Sequence, residues 1–105
     1  MITKSKEGKC KEFKGVTFDV LAVGEQSMVT KMKYKLGDKV SLHAHPNEQS
    51  GYVISGKYQI GVENIDDILI SGDSYSIPAN IPHSWTVIEA GEVIDVFTPV
   101  RKDYL

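Results

Sequence analysis

The chain has 105 residues, which is enough for one domain with its own core and too few for a second. Its 12 basic and 14 acidic side chains leave a formal net charge of −2, so the charge gives no sign of a nucleic acid partner. The single cysteine, Cys10, excludes an internal disulfide. No apolar run is long enough to span a bilayer and no signal-peptide pattern opens the sequence, so we expect a cytoplasmic protein without a membrane partner.

The start of the chain is rich in lysine, but Glu7 and Glu12 dilute this charge. A charge run of this kind is typical of a solvated segment rather than of a binding site. We therefore expect residues 1–12 to form a loosely ordered N-terminal segment and residues 13–105 to form the domain. The lysines are Lys4, Lys6, Lys9, Lys11 and Lys14.

The rest of the sequence consists of short runs in which apolar and polar residues alternate, separated by turn residues such as Gly37-Asp38 and Gly72-Asp73. A period of two indicates β-strands, and many short strands with regular turns indicate a sandwich or barrel. No stretch has apolar residues at helical spacing with a helix cap. The predicted strands are Val16–Ala22, Ser27–Lys35, Lys39–His45, Ser50–Ile54, Lys57–Val62, Asp67–Ile70, Ser74–Ile77, Ser84–Ile88 and Glu92–Thr98.

His43 and His45 lie two residues apart in one predicted strand. Side chains alternate between the two faces of a strand, so both imidazoles point to the same side, with their Cα atoms about 6.6 Å apart. Two imidazoles at that separation can meet on one ion above the sheet. The remaining histidine, His83, and the amide oxygen of Gln49 would complete four ligands. The sequence therefore predicts a metal site at His43, His45, Gln49 and His83.

The fourth ligand leaves an alternative open. Glu48 would point away from Gln49 in a regular strand, but a β-bulge would exchange the two positions. With Gln49 all four donors are neutral and the ion keeps its full double charge, which favours an anionic substrate. A nitrogen-rich donor set suits Zn, Ni, Fe, Mn or Cu, and the sequence does not choose among these divalent transition metals.

The spacing of these residues resembles the first sequence motif of the cupin superfamily. That motif contains a glycine, a His-x-His pair, a glutamate and a second glycine. The corresponding residues here are Gly37, His43, His45, Gln49 and Gly56. Glutamine thus stands where glutamate is usual.

The downstream half resembles the second cupin motif, through Gly72, Pro78, Asn80, His83 and Val87. Asn80 stands where glycine is usual and can still adopt a left-handed backbone conformation, while Val87 stands where asparagine is usual, outside the metal shell. The resemblance implies a single-domain, all-β double-stranded β-helix, or jelly roll, with a divalent ion inside the barrel. It also implies that the protein pairs as a homodimer.

Asp95 lies within the apolar run Ile94–Phe97. A buried carboxylate is costly unless it is paired or used, and Arg101 is the obvious nearby partner. The two residues could form a salt bridge that closes the mouth of the barrel. Alternatively, Asp95 could act as a general base while Arg101 holds a substrate carboxylate in a bidentate manner.

Residues 94–105 resemble the C-terminal tail of small single-domain cupins that include the KdgF-type pectin and alginate degradation proteins. Those relatives open the ring of 4,5-unsaturated uronates to give linear keto-sugars, and the resemblance implies active-site roles for Asp95, Phe97 and Arg101. Trp85 shares a strand face with His83, so we expect it to line the pocket, where it could stack on a sugar ring.

The leading hypothesis is a metal-dependent enzyme acting on a small anionic, sugar-derived substrate, with an unsaturated uronate favoured. In that hypothesis Asp95 moves a proton and Arg101 anchors a carboxylate. Two alternatives stay open: a metal-dependent dioxygenase that uses the same ligands, and a cupin that binds a small ligand without turning it over.

Overall fold

The computed structural model describes residues 1–105 and contains ten β-strands and two short 3-10 helices, at Ser5–Glu7 and Lys102–Tyr104. The all-β prediction is confirmed. No helix is both long enough and apolar enough to cross a membrane. The strands are β1 (Lys9–Phe13), β2 (Val16–Val23), β3 (Met28–Tyr34), β4 (Lys39–His43), β5 (Glu48–Val53), β6 (Lys57–Val62), β7 (Ile65–Ile70), β8 (Ser74–Ile77), β9 (His83–Glu89) and β10 (Gly91–Thr98).

The strands form two antiparallel sheets. One has six strands in the order β1-β2-β3-β10-β5-β8, and the other has four in the order β4-β9-β6-β7. From β3 to β10 the chain crosses to the other sheet at every connection except the β6–β7 hairpin. This winding is that of the predicted jelly roll.

The core lies between the two sheets, where 17 buried apolar residues form one cluster. In β3 every second residue from Met28 to Tyr34 is buried, as the alternation of the sequence predicts. Toward one end of the barrel, the rings of Tyr34, Tyr58 and Trp85 pack with their centroids 5.0–5.5 Å apart. Buried polar side chains line the same interior as Tyr34 and Trp85, and the candidate site is there.

Strand β1 lies in the segment for which the sequence predicted no regular element. It pairs in register with β2, from Lys9 opposite Val20 to Phe13 opposite Val16. As the edge strand of the larger sheet, it leaves most of its residues exposed or half-exposed, and it therefore lacks the alternation that identifies half-buried strands. The loose order of residues 1–12 relative to the domain stays a prediction.

Gly51 sits where three strands meet around the candidate site. It lies opposite Asp95 of β10 on one side and opposite Tyr75 of β8 on the other. A Cβ built on Gly51 would overlap the end of the Tyr75 ring and Oδ1 of Asp95. The absence of a side chain at this position is what lets these two residues approach each other.

We therefore expect Gly51→Ala to lower the free energy of unfolding by about 1–3 kcal/mol, the usual cost of overpacking. Urea unfolding followed by circular dichroism measures this loss. The matched control is Gly24→Ala, because the nearest atom that its Cβ would meet is Ser27 O at 3.4 Å; its effect should stay within about 0.5 kcal/mol. Equal stability of the two variants would contradict the close packing around Gly51.

Candidate metal centre

The three histidines meet at the mouth of the barrel. His43 ends β4 and His83 begins β9, and the two residues lie directly opposite each other in the ladder. The ring centroids of His43 and His83 are 4.3 Å apart, and those of His45 and His83 are 4.8 Å apart. One ring nitrogen from each residue lies within 4.8 Å of the other two.

The local backbone accounts for this arrangement. Strand β4 ends at His43, two residues before its predicted end, and its ladder with β9 shifts register between Val40 and His43. His45 therefore lies in the connection to β5, where its imidazole closes the triangle from the side of the larger sheet. The Pro78–Pro82 loop directly precedes His83 and positions it at the start of β9.

Each imidazole is oriented in the same way, because its Nδ1 lies 2.8–2.9 Å from a main-chain carbonyl oxygen two residues away. A carbonyl oxygen only accepts hydrogen bonds, so Nδ1 is the donor, and Nε2 of the neutral ring keeps its lone pair. This is the tautomer in which a histidine binds a metal through Nε2. The bonded pairs are His43 with Ser41, His45 with Asn47, and His83 with Ile81.

The electrostatic environment keeps these rings neutral. Burial lowers the pKa of His43 and His45, and it lowers the pKa of His83 to about 4. The positive charge of Arg101 lowers all three further. Near neutral pH the three Nε2 atoms therefore offer lone pairs rather than protons.

Gln49 supplies an oxygen to the same place. Its Oε1 lies 3.2 Å from Nε2 of His45. Both atoms carry lone pairs and neither carries a hydrogen, so a cation bound between them would stabilise the arrangement. Ligands bound at about 2.1 Å to one ion, at octahedral or tetrahedral angles, lie about 3.0–3.4 Å apart. Gln49 is half-buried, whereas the alternative ligand Glu48 is exposed. The donor set therefore fits a divalent metal ion.

Asp95 lies directly behind Gln49 and is only 1% exposed. It accepts a hydrogen bond from the hydroxyl of Tyr75. Burial raises the pKa of Asp95 to about 6, while hydrogen bonds from Tyr75 and Gln49 lower it. The Gln49 side chain thus connects the histidine group to a buried carboxyl that is easily protonated.

An interior cavity of about 30 Å³ is lined by His43, His83, Asp95 and Trp85. A space of this size holds one water molecule or one oxygen substituent of a ligand. Trp85 is buried, and its Nε1–H is the one buried side-chain polar atom without a hydrogen-bond partner. Its ring stacks on Tyr34 and Tyr58, which cover the surface that a sugar ring would use.

Arg101 is buried among aromatic rings at the mouth. Its guanidinium carbon lies 4.0 Å from the ring centroid of Tyr104, 5.1 Å from that of Phe13 and 5.2 Å from that of Phe97. Phe97 in turn meets His45 edge to face, with the centroids 5.8 Å apart. Phe97 thus packs between the histidine group and Arg101.

Arg101 and Asp95 do not form the salt bridge that was one of the two interpretations of the sequence. Arg101 pairs with Asp103, with Nη2 at 2.7 Å and Nε at 3.3 Å from the two carboxylate oxygens. Its Nη1 also donates to the hydroxyl of Tyr104 at 2.9 Å. The short 3-10 helix after Arg101 turns Asp103 back onto the guanidinium, whereas Asp95 is held by Tyr75 deep inside the barrel.

A larger cleft of about 510 Å³ opens outside the histidines. His43 and His45 lie on it, and its charged lining residues are Lys14, Arg101, Lys102 and Asp103. Its volume falls within the range of small-molecule sites, and its cations outnumber its one carboxylate. The cleft is suited to a small anion that reaches the histidine group from the outside.

Residues 30–97 match the profile of the family described as Cupin domain. The chain belongs to the cupin domain family. It is 29% identical over 93 residues to the pectin degradation protein KdgF of Dickeya dadantii strain 3937, which covers 87% of this chain and 84% of that protein. The solved structure of KdgF from Halomonas sp. matches with a TM-score of 0.88 at 25% identity, over 98% of each chain.

A shorter match links this cupin to quercetin 2,3-dioxygenase of Bacillus subtilis strain 168. It is 40% identical over 50 residues and covers 47% of this chain but 15% of the dioxygenase.

Sequence reasoning missed several residues at this site, namely Phe13, Lys14, Tyr75, Asp103 and Tyr104. One signal was available: Lys14-Gly15 separates Phe13 from the alternating run that starts at Val16, as a hairpin turn does. No signal marked Tyr75, because a tyrosine in an alternating strand is equally typical of the core.

The buried carboxyl of Asp95 gives a prediction for the metal-free protein. Its pKa rises from 3.8 to about 6 on folding, so between these values the native state binds a proton that the unfolded state has lost, and this group stabilises the fold increasingly on acidification. The histidines act in the opposite sense, because folding lowers their pKa below 6.5.

Asp95→Asn removes the contribution of the Asp95 carboxyl to the pH dependence of stability and leaves that of the histidines. We expect this variant to be more stable than the wild type at about pH 7 and to lose that advantage by about pH 4.5. Urea unfolding of protein treated with a chelator, at both pH values, measures the difference. Glu25→Gln, an exposed loop position, is the control. An advantage that stays constant or grows on acidification would contradict the burial of an ionised carboxylate.

Proposed function

We propose that this cupin is a divalent-metal-dependent enzyme that opens the ring of a small 4,5-unsaturated uronate. The observation that carries the proposal is the convergence of three imidazole nitrogens and one amide oxygen beneath a cationic cleft, with a buried carboxyl behind them. The likeness to pectin degradation protein KdgF supports a sugar-derived acid as the substrate.

His43, His45, His83 and Gln49 would hold the ion. When bound there, a divalent ion supplies Lewis acidity toward a substrate oxygen, and four neutral donors leave its charge undiminished. The set is compatible with Zn, Ni, Fe, Mn or Cu. The main-chain hydrogen bonds at Nδ1 fix the rings before an ion arrives, which reduces the cost of binding it.

The substrate ring would occupy the outer cleft, with its carboxylate toward the cations of the rim. Arg101 has three of its five N–H groups engaged by Asp103 and Tyr104, and the remaining two are available to the carboxylate. Phe97 sets the position of the guanidinium. The N–H of Trp85, which has no hydrogen-bond partner within the protein, would serve as a donor if a substrate oxygen reached it.

Asp95 would move the proton. The hydroxyl on carbon 1 would enter the interior cavity that Asp95 lines, where the carboxylate takes its proton. The bond between carbon 1 and the ring oxygen breaks, and the electron pair stays on that oxygen as an enolate. A proton returned to carbon 4 gives the ketone at carbon 5. The net reaction is an isomerisation, so it needs neither an oxidant nor added water.

The ultraviolet absorbance of the double bond conjugated with the carboxylate follows this reaction. We expect the zinc- or nickel-loaded protein to abolish that absorbance, and we expect Asp95→Asn to lower kcat by at least about 100-fold, as for loss of a general acid–base group. Tyr52→Ala, on the exposed outer face of β5, is the control. Stable absorbance with metal-loaded wild type would overturn the proposal.

Loss of one imidazole tests the ligand set itself. We expect His83→Ala to weaken zinc affinity by more than about 100-fold, because the loss of outer-shell partners alone costs about 10–100-fold. Competition with a zinc-binding dye measures the affinity. Zinc retained by His83→Ala as tightly as by the wild type would place the ion elsewhere.

The second candidate is a metal-dependent dioxygenase, favoured by the local match to quercetin 2,3-dioxygenase. Oxygen uptake by iron-, nickel- or copper-loaded protein with a flavonol distinguishes it, since ring opening consumes no oxygen. Retained metal and ligand binding without either activity would identify a cupin that only binds its ligand.

A further inference from the structure

The turn between β1 and β2 has an unusual backbone. Lys14 and Gly15 form it, and both have positive φ, at 51° and 84°. Glycine, asparagine and aspartate tolerate this conformation, which the Cβ of other residues disfavours. Lys14 therefore occupies a position where its own side chain destabilises the turn. Strained backbone of this kind is often retained where a side chain has a function.

The same turn is fixed against the candidate metal centre. The ring of Phe13 lies 6.3 Å from the ring of His43 and 5.4 Å from that of Tyr104, between centroids. The Arg101 guanidinium also packs over Phe13. These contacts place Lys14 on the wall of the outer cleft, together with His43.

The charge of Lys14 is not neutralised there. The salt bridges of the protein join Lys31 to Glu92, Lys33 to Asp19 and Arg101 to Asp103, and none involves Lys14. Its Nζ lies 5.6 Å from the centroid of the Phe13 ring. Arg101, by contrast, already faces the carboxylate of Asp103.

We propose that Lys14 binds the carboxylate of the substrate and thereby selects acidic sugars over neutral ones. A single pair of free N–H groups on a neutralised Arg101 leaves an incoming carboxylate without a full counter-charge, and Lys14, which lines the same cleft, supplies it. The inference rests on the proposed function for its substrate class, and it gives the N-terminal hairpin a role in specificity.

Lys14→Asn separates this role from a structural one, because asparagine removes the charge and relieves the strained φ. We expect KM for the unsaturated uronate to rise about tenfold, as for loss of a charged hydrogen bond, with kcat within about twofold. We expect Tm to rise by about 3–5 °C. A residue that merely supported the hairpin would not combine weaker binding with a more stable fold.

Two control variants isolate the two effects. Lys9→Asn removes one positive charge from the same hairpin, at an exposed position of β1. Glu63→Asn relieves a similar φ of 53° in the β6–β7 hairpin, at a position that does not line the outer cleft. Lys9→Asn should leave KM unchanged, and Glu63→Asn should raise Tm without changing KM.

A binding measurement keeps the test independent of turnover. Galacturonate and galactose are titrated into the zinc-loaded protein by calorimetry. We expect the wild type to bind galacturonate in preference to galactose and Lys14→Asn to lose about tenfold of the affinity for galacturonate only.

The outcomes are distinguishable. Lys14-dependent galacturonate binding without ring opening would support Lys14 and overturn the proposed function. Ring opening with the same KM in Lys14→Asn would overturn the role of Lys14 and leave the function standing. The role of Lys14 would also be overturned if the wild type showed no preference for galacturonate, or if Lys9→Asn lost as much affinity as Lys14→Asn.

Discussion

The pairing of β4 with β9 at His43 and His83 is the contact on which the site depends. It brings two imidazoles together at the open end of the barrel, with ring centroids 4.3 Å apart, and His45 joins them from the connection that leads to the larger sheet. Each ring is then locked by a hydrogen bond from Nδ1 to its own neighbouring backbone. The lone pairs are thereby directed to one point before any ligand is present, and preorganisation of this kind reduces the cost of binding.

Behind the histidine nitrogens, the core of the barrel contains a carboxyl group, which an apolar core ordinarily excludes. Asp95 is buried and reached by the hydroxyl of Tyr75 through the space that Gly51 leaves open. The arrangement is costly to the fold near neutral pH, and such costs are typical of groups kept for chemistry rather than for stability. Trp85, which has an unpartnered N–H, is a second departure from a fully satisfied core.

Much of this could be predicted from the sequence because the signals are local. Alternation with turn glycines gives the strands, and the His-x-His pair with a distant third histidine gives the group at the mouth. The partner of Arg101 could not be predicted, since Asp103 reaches it through a turn that spacing does not reveal. Lys14 was not identified because it lies in a lysine-rich stretch, and β1 was not identified because it is an edge strand without alternation. The homodimer implied by the cupin resemblance stays a prediction.

The central claim is that three imidazoles and one amide oxygen bind a single divalent ion at the mouth. X-ray absorption spectroscopy of the zinc-loaded protein tests it most directly, because it counts the ligands and measures their distances. We expect three nitrogen ligands showing imidazole scattering at about 2.0–2.1 Å and at least one oxygen ligand. A spectrum with one imidazole or none, or with sulfur from Cys10, would contradict it.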